Sequence, residues 1–354
     1  MIKTTFLDTN SLDCGDIDFT PLESQSLVMD YWNQTSIAQI PERISAAEII
    51  ISNKVILDSD VLKNANHLKL ICIAATGTNN VDLDFARQQG VSVCNVTAYA
   101  TASVVQHVFA LITSLQSRLA EHRGSVFSGE WSGSQNFCVL DYPYEELSGK
   151  ILGIIGYGEL GQAVAKVARS FGLKVLVAES DHSKANNKSM SDAQRKTNSN
   201  TVSAQSFYKD SLQQVNDKSV SPVERVTFER LMSESDIVSL HCPLAENTRH
   251  LINADAFKLM KSSGILVNTA RGGIVNEPDL LDALAAGTIA GAALDVLEVE
   301  PPPDNHLLFT YDKPNLIITP HVAWASRESR QRLVDQLGLN IQAYLKGKVR
   351  NSVL

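Results

Sequence analysis

The sequence predicts two α/β domains, each a parallel sheet covered by helices, with the first domain discontinuous. Short β-branched runs alternate with helix-like stretches along nearly all of the 354 residues. Such alternation means βαβ units and a parallel sheet buried on both faces. An apolar segment at 101–119 divides two blocks of this pattern, and a helical stretch at 326–346 carries apolar positions suited to packing back on the first block. On this reading residues 1–102 and 324–354 form one domain and residues 103–323 the other.

In chain order, strands are expected at 47–52, 68–74, 151–155, 174–178, 236–240, 265–268 and 290–295, with helices at 81–89, 161–171 and 278–286 among them. Right-handed crossovers are the default for parallel strands. Within 101–119, Val104, Val105, Val108, Phe109, Leu111 and Ile112 crowd most faces, which predicts a buried helix joining the two blocks. The last helix offers Leu333, Leu337, Leu339, Ile341 and Leu345 for packing. One stretch breaks the rhythm. Residues 181–222 are rich in Ser, Asn, Lys, Gln and Asp with no clear period, and read as a polar surface insertion.

Composition narrows the partners. A net charge of −8 argues against a nucleic-acid or anionic-membrane surface as the main partner, although a local basic pocket for a small anion remains compatible. The five cysteines are spread out, and no pair has the spacing of a zinc site or a disulfide framework. Cys72, Cys94 and Cys242 adjoin strand-like runs and are expected as buried free thiols. The N-terminus lacks a signal-peptide layout and no apolar run approaches membrane-spanning length, so the cytoplasm is the expected compartment.

The first chemical signal is Gly156-Tyr157-Gly158-Glu159-Leu160-Gly161, directly after the apolar run 151–155. A bare GxGxxG is weak evidence. Here a strand precedes it, and a helix and second strand follow, which is the setting of a dinucleotide-binding turn. Gly156 permits the tight turn, Gly158 admits a pyrophosphate, and Gly161 allows close helix–strand packing. The helix start supplies N–H groups and positive dipole to phosphate. Glu179 ends the next strand, near the spacing of an acid that bonds the adenosine ribose. A carboxylate there favours NAD over NADP, and no Arg follows before Arg195.

Three further residues each follow a strand-like run: Arg271, Glu300 and His321. The carboxyl edge of an open α/β sheet is where ligands bind. Reduction of a 2-oxo acid needs a cation to hold the carboxylate and polarise the ketone, which suits Arg. It needs an acid that titrates in the useful range, which suits His, and a carboxylate that keeps the His protonated and oriented. Singly, such residues are more often surface or cap residues. Together, downstream of a dinucleotide turn, they point to chemistry.

Residues 156–161, 241–244, 268–273, 293–302 and 319–326 resemble the D-isomer-specific 2-hydroxyacid dehydrogenase family, and the likeness spans nearly the whole chain. The runs 75–81, 95–107, 137–143 and 321–328 look like its glycerate dehydrogenase (hydroxypyruvate reductase) branch. The resemblance implies Rossmann-like and flavodoxin-like domains, NAD as cofactor, and Arg271, Glu300 and His321 as catalytic residues. It implies Glu159 and Leu160 at the pyrophosphate. Thr269, Ala270, Arg271, Asp295, His321, Val322, Ala323 and Trp324 are implied at the nicotinamide end. N–H groups of Thr76, Gly77 and Thr78 are implied, with Arg271, at the substrate carboxylate. Glu179 stands where the family more often has Asp.

The implied mechanism is hydride transfer to a 2-oxo acid lying between the lobes, with hinges near 101–103 and 323–326. No metal is implied, and a homodimer is. Pocket side chains choose among hydroxypyruvate, glyoxylate and phosphoglycerate-type substrates. An NADH-sensing binding protein with the same fold is the rival from another class.

Overall fold

In the computed structural model, which describes residues 1–23, 27–179 and 223–354, the chain divides into two units. Residues 1–103 with 324–354 form the first, and residues 104–323 the second. The stretch 181–222, with Arg195, lies outside the described residues.

The first unit holds β1 (Ile2–Phe6), β2 (Leu27–Tyr31), β3 (Ile49–Ser52), β4 (Leu70–Ile73) and β5 (Ser92–Cys94) in the order β2-β1-β3-β4-β5, every pairing parallel. Side chains alternate between two cores. Phe6, Ile49, Ile51, Leu70 and Cys72 point to one, and Leu7, Ile50, Ile71 and Ile73 to the other. That double burial is why β3 and β4 read as continuous apolar runs. The first core is closed by the helix Arg327–Leu345. Its Leu333, Val334, Leu337 and Ile341 are all 0% exposed. Their spacing puts them on one helical stripe. Leu339 and Leu345 fall off that stripe and are 40% and 37% exposed, a correction to the packing positions expected for this helix. Ser326 caps the helix, its hydroxyl accepting the N–H of Ser329 at 3.3 Å.

The second unit holds β6 (Ile151–Ile155), β7 (Lys174–Ala178), β8 (Glu224–Val226), β9 (Ile237–Leu240), β10 (Ile265–Asn268), β11 (Gly291–Leu294) and β12 (Leu316–Ile318), again all parallel. Their order is β12-β11-β10-β9-β6-β7-β8, so the chain winds one way from β6 to β8 and the other way from β9 to β12. The reversal falls between β6 and β9. Such a switch point leaves a crevice at the strands' carboxyl ends. The helix Glu159–Ser170 buries Val164, Ala165 and Ala168 beside β6, and its Gly158 N-cap faces that carboxyl edge.

The apolar segment expected to run to Leu119 is a helix over Thr101–Gln116. Arg118 takes a left-handed φ of 49°, which ends the helix, and Leu119 opens a second one (Leu119–Phe127) and is 54% exposed. Five strands escaped the sequence reading: β1, β2, β5, β8 and β12. Three have only three residues, and β1 and β2 mix polar with apolar positions. Cys72 and Cys94 are buried free thiols on adjacent strands with Sγ atoms 3.4 Å apart, whereas Cys242 is half-buried at the turn after β9. Among the described residues no helix is long and apolar enough to cross a membrane.

Leu337→Ala should cost about 2–5 kcal/mol in urea unfolding, because it empties a packed site. Leu339→Ala, one helix face away, should change stability by less than about 0.5 kcal/mol. Equal losses would contradict the helix orientation.

Candidate active site

At the end of β6, Gly156 has a φ of +95°, and a Cβ there would lie 2.4 Å from the backbone N of Cys242. Only glycine lets the turns after β6 and β9 meet this closely at the switch point. Gly158 N-caps the helix Glu159–Ser170 without a side-chain cap, and a Cβ there would meet nothing within 4 Å. The helix therefore opens onto free space with backbone N–H groups at its mouth. Glu159 occupies the first turn, Leu160 is half-buried, and Gly161 is buried on the face toward β6. Glu179 follows β7 and is exposed, its N–H bonded to the carbonyl of Val226 at 2.9 Å. The guanidinium of Arg225, on β8, lies 5.6 Å from the Tyr157 ring centroid. This cation beside the glycine turn escaped the sequence reading, because strand pairing brings it close from far along the chain.

Two buried polar atoms at the same edge have no hydrogen-bond partner among the described residues: Thr269 Oγ1 after β10 and His241 Nδ1 after β9. His241 Nε2 sits 2.9 Å from Ser239 Oγ. Although the residue as a whole is half-buried, that ring nitrogen is shut from solvent, and burial pushes the His241 pKa down to about 4. A glycine-capped helix start and, among the described residues, orphaned polar atoms along the rim suit a ligand with phosphates and an amide or hydroxyls. A dinucleotide has all of these.

Across the sheet, the loop after β12 carries His321. Its Nδ1 lies 2.6 Å from Glu300 Oε2, and Glu300 Oε1 accepts the N–H of Leu297 at 2.9 Å. The carboxylate thus holds the ring in place through Nδ1. His321 has a left-handed φ of 54°, sustained by its N–H donating to the carbonyls of Asp295 and Thr319 at 2.8 and 2.9 Å. Asp295 itself is 1% exposed and accepts from Thr319 Oγ1, Val322 N–H and Ala323 N–H at 2.6, 2.9 and 2.8 Å. Burial raises its pKa, but hydrogen bonds from His107, Thr319 and the two N–H groups outweigh it, and the net is below the usual carboxylate range.

Arg271 rides on a loop held from below. The buried Asn268 amide accepts the N–H of Ala270 at 3.0 Å and donates to the carbonyl of Arg271 at 2.8 Å, while Arg271 Nη1 bonds the carbonyl of Ala270 at 2.7 Å. At Gly272 a Cβ would lie 1.9 Å from the carbonyl carbon of Leu297, so this loop touches the segment that leads to Glu300. That segment is fixed again by Glu277, 5% exposed, whose carboxylate takes the N–H of Glu298 at 2.8 Å and pairs with His306 at 3.1 Å. Arg271, Glu300 and His321 are thus gathered along the ends of β10, β11 and β12. Nothing in the sequence singled out Asn268, Glu277 or His306 as their supports.

In the first unit, the loop after β4 is tied by Thr76 Oγ1 to the carbonyl of Val96 at 2.8 Å and by Asn95 to the carbonyl of Thr76 at 2.7 Å. Among the described residues the N–H groups of Gly77 and Thr78 meet no acceptor. Trp324 belongs to this unit and stacks edge-on against Tyr99, centroids 6.3 Å apart.

Residues 109–208 and 199–323 match the model of the D-isomer specific 2-hydroxyacid dehydrogenase, NAD binding domain. The chain belongs to that family. It is an oxidoreductase, and residues 109–323 are its NAD-binding portion. The dehydrogenase is 40% identical to the glycerate dehydrogenase of Methylorubrum extorquens over 99% of this chain and 98% of that one. It is 35% identical to the hydroxypyruvate reductase of Blautia hydrogenotrophica over 99% of each. The solved D-lactate dehydrogenase of Aquifex aeolicus, complexed with NAD and lactic acid, superposes with a TM-score of 0.75 at 28% identity, over 99% of this chain and 98% of that one.

The low His241 pKa makes a pH prediction. Unfolded, this histidine binds a proton near 6.5, and folded only near 4. Between those values the unfolded chain holds more protons, so stability falls as pH drops from about 6.5 to about 4. Urea midpoints at pH 7 and pH 5 should differ less in His241→Gln than in the wild type; an unchanged difference would remove His241 as the cause.

Proposed function

We propose that this dehydrogenase reduces hydroxypyruvate to D-glycerate with NADH and runs the reverse reaction at high glycerate. The chemistry rests on one observation above the others, the 2.6 Å contact between His321 and Glu300 on a loop clamped to a buried carboxylate. The choice of substrate rests on the near full-length likeness to a glycerate dehydrogenase and a hydroxypyruvate reductase.

NADH, when bound, supplies the hydride that reduces the ketone carbon. The protein's own groups do the rest. Gly156, Gly158, Glu159, Leu160 and Gly161 would cradle the pyrophosphate, and Glu179 the adenosine ribose. Thr269, Ala270, Asp295, Val322 and Ala323 would border the nicotinamide. Arg271 uses one nitrogen on its own loop and turns the rest of its fork to the substrate carboxylate and carbonyl oxygen. With Nδ1 held by Glu300, His321 Nε2 gives its proton to the carbonyl oxygen as the hydride arrives, and takes it back in the reverse direction.

Two further assignments accompany this reading. The preference is for NAD over NADP, because the Glu179 carboxylate would repel a 2′-phosphate. The working form is a cytoplasmic homodimer joined through the second unit, which exposes Phe127, Trp131, Phe137 and Leu140 by 75, 49, 91 and 80%.

NADH oxidation followed by absorbance with hydroxypyruvate, glyoxylate, pyruvate and phosphohydroxypyruvate tests the substrate. Hydroxypyruvate should be turned over with the highest kcat/KM, and preference for another oxo acid would overturn that choice while keeping the chemistry. His321→Ala should lower kcat by about 10²–10⁴-fold. Near wild-type turnover in that variant, or in Arg271→Ala, would sink the mechanism. NADPH should be a poor substitute until Glu179→Ala removes the repelling charge; equal use of both cofactors by the wild type would refute the preference.

A further inference from the structure

We propose that His107 is a positioning residue for the catalytic loop, acting through Thr319 and Asp295. The inference rests on the hydride-transfer reading above. His107 lies on the helix Thr101–Gln116 and not on any strand-end loop that carries the chemistry. Its side chain is 21% exposed, and its Nε2 lies 3.0 Å from Thr319 Oγ1 and 3.5 Å from Asp295 Oδ1.

The hydrogen positions follow from the donor inventory. A threonine hydroxyl has one hydrogen, and that of Thr319 goes to Asp295 Oδ1 at 2.6 Å. Thr319 Oγ1 can then only accept from His107, so the His107 proton sits on Nε2. The imidazole thereby holds the hydroxyl rotor in the orientation that serves the carboxylate. Asp295 in turn takes the N–H groups of Val322 and Ala323, and its carbonyl takes that of His321. His107 is therefore the outermost member of a chain of bonds ending at the His321 backbone, which stands in a left-handed conformation that its neighbours must sustain. Without the imidazole donor the Thr319 hydroxyl is free to turn, and one support of a buried, ionised carboxylate goes with it.

The test compares His107→Phe, which keeps a ring and loses the donor, with His107→Gln, whose amide N–H reaches the place of Nε2. In the holoenzyme His107→Phe should lose about tenfold in kcat, the scale of one hydrogen bond to a charged network. KM for the oxo acid should stay near its wild-type value, the thermal midpoint should stay close to the wild type, and His107→Gln should recover most of the loss. Unchanged kcat in His107→Phe overturns the proposal. So does a joint fall of kcat and thermal midpoint that the Gln variant does not repair, because that marks a packing role. Imidazole nitrogen NMR with NADH present separates this from the substrate reading. Even if no oxo acid is turned over, His107 should appear as the Nε2–H form and His107→Phe should shift the His321 signals. Unmoved His321 signals would refute the brace.

Discussion

The reversal of winding between β6 and β9 is the constraint from which the rest of the second unit follows. Crossovers from β6 pass to one side and those from β9 to the other, so no connection can lie over the gap between those two strand ends. The turn after β6 must then press against the turn after β9, which is why Gly156 has no room for a Cβ beside Cys242. The same geometry aims the start of the helix Glu159–Ser170 at the gap, with a glycine as its N-cap. A crevice with that character favours negative charge before any side chain is considered. The aliphatic sheet beneath serves chiefly to hold the strand ends still.

Asp295 plays the corresponding role for the reacting groups. A carboxylate 1% exposed would lose its charge to desolvation if it stood alone. Here the donors gathered on it hold it ionised, and the same bonds fix residues 319–323 against β11. Stability and the proposed chemistry are linked through one group, since whatever neutralises Asp295 also frees the loop that carries His321. Asn268 does for the Arg271 loop what Asp295 does for the histidine loop. Glu277 with His306 does it for the segment that leads to Glu300. Each of these strand-end loops thus has a buried polar anchor at its base.

Legibility differed sharply between groups. Arg271, Glu300 and His321 stand out as candidates because each follows an apolar run and is a residue type that the proposed chemistry needs. Their anchors do not. Asn268 reads as a strand's last residue, His107 as one polar position in an apolar helix, and Thr319 as a loop residue. Each has meaning only through partners between 2 and 212 positions away. The glycines fared unevenly too. The turn at 156–161 has a spacing that announces it, while Gly272 is required solely because Leu297 passes beside it. Arg225 was invisible for the same reason as β8, whose three residues carry no periodic signal.

By itself the sequence determined the α/β class, the strands buried on both faces, the dinucleotide turn and the family. All of these are encoded locally, by apolar runs of strand length and by residue types at short fixed spacings. Only the tertiary structure decided the strand order, the short edge strands, which leucines of the last helix are buried, and where the long helix breaks at Arg118. It also decided the bonds that hold the strand-end loops. Those outcomes depend on which distant backbone arrives alongside, and a hydrogen bond or a steric contact across the fold leaves no periodic trace in the chain.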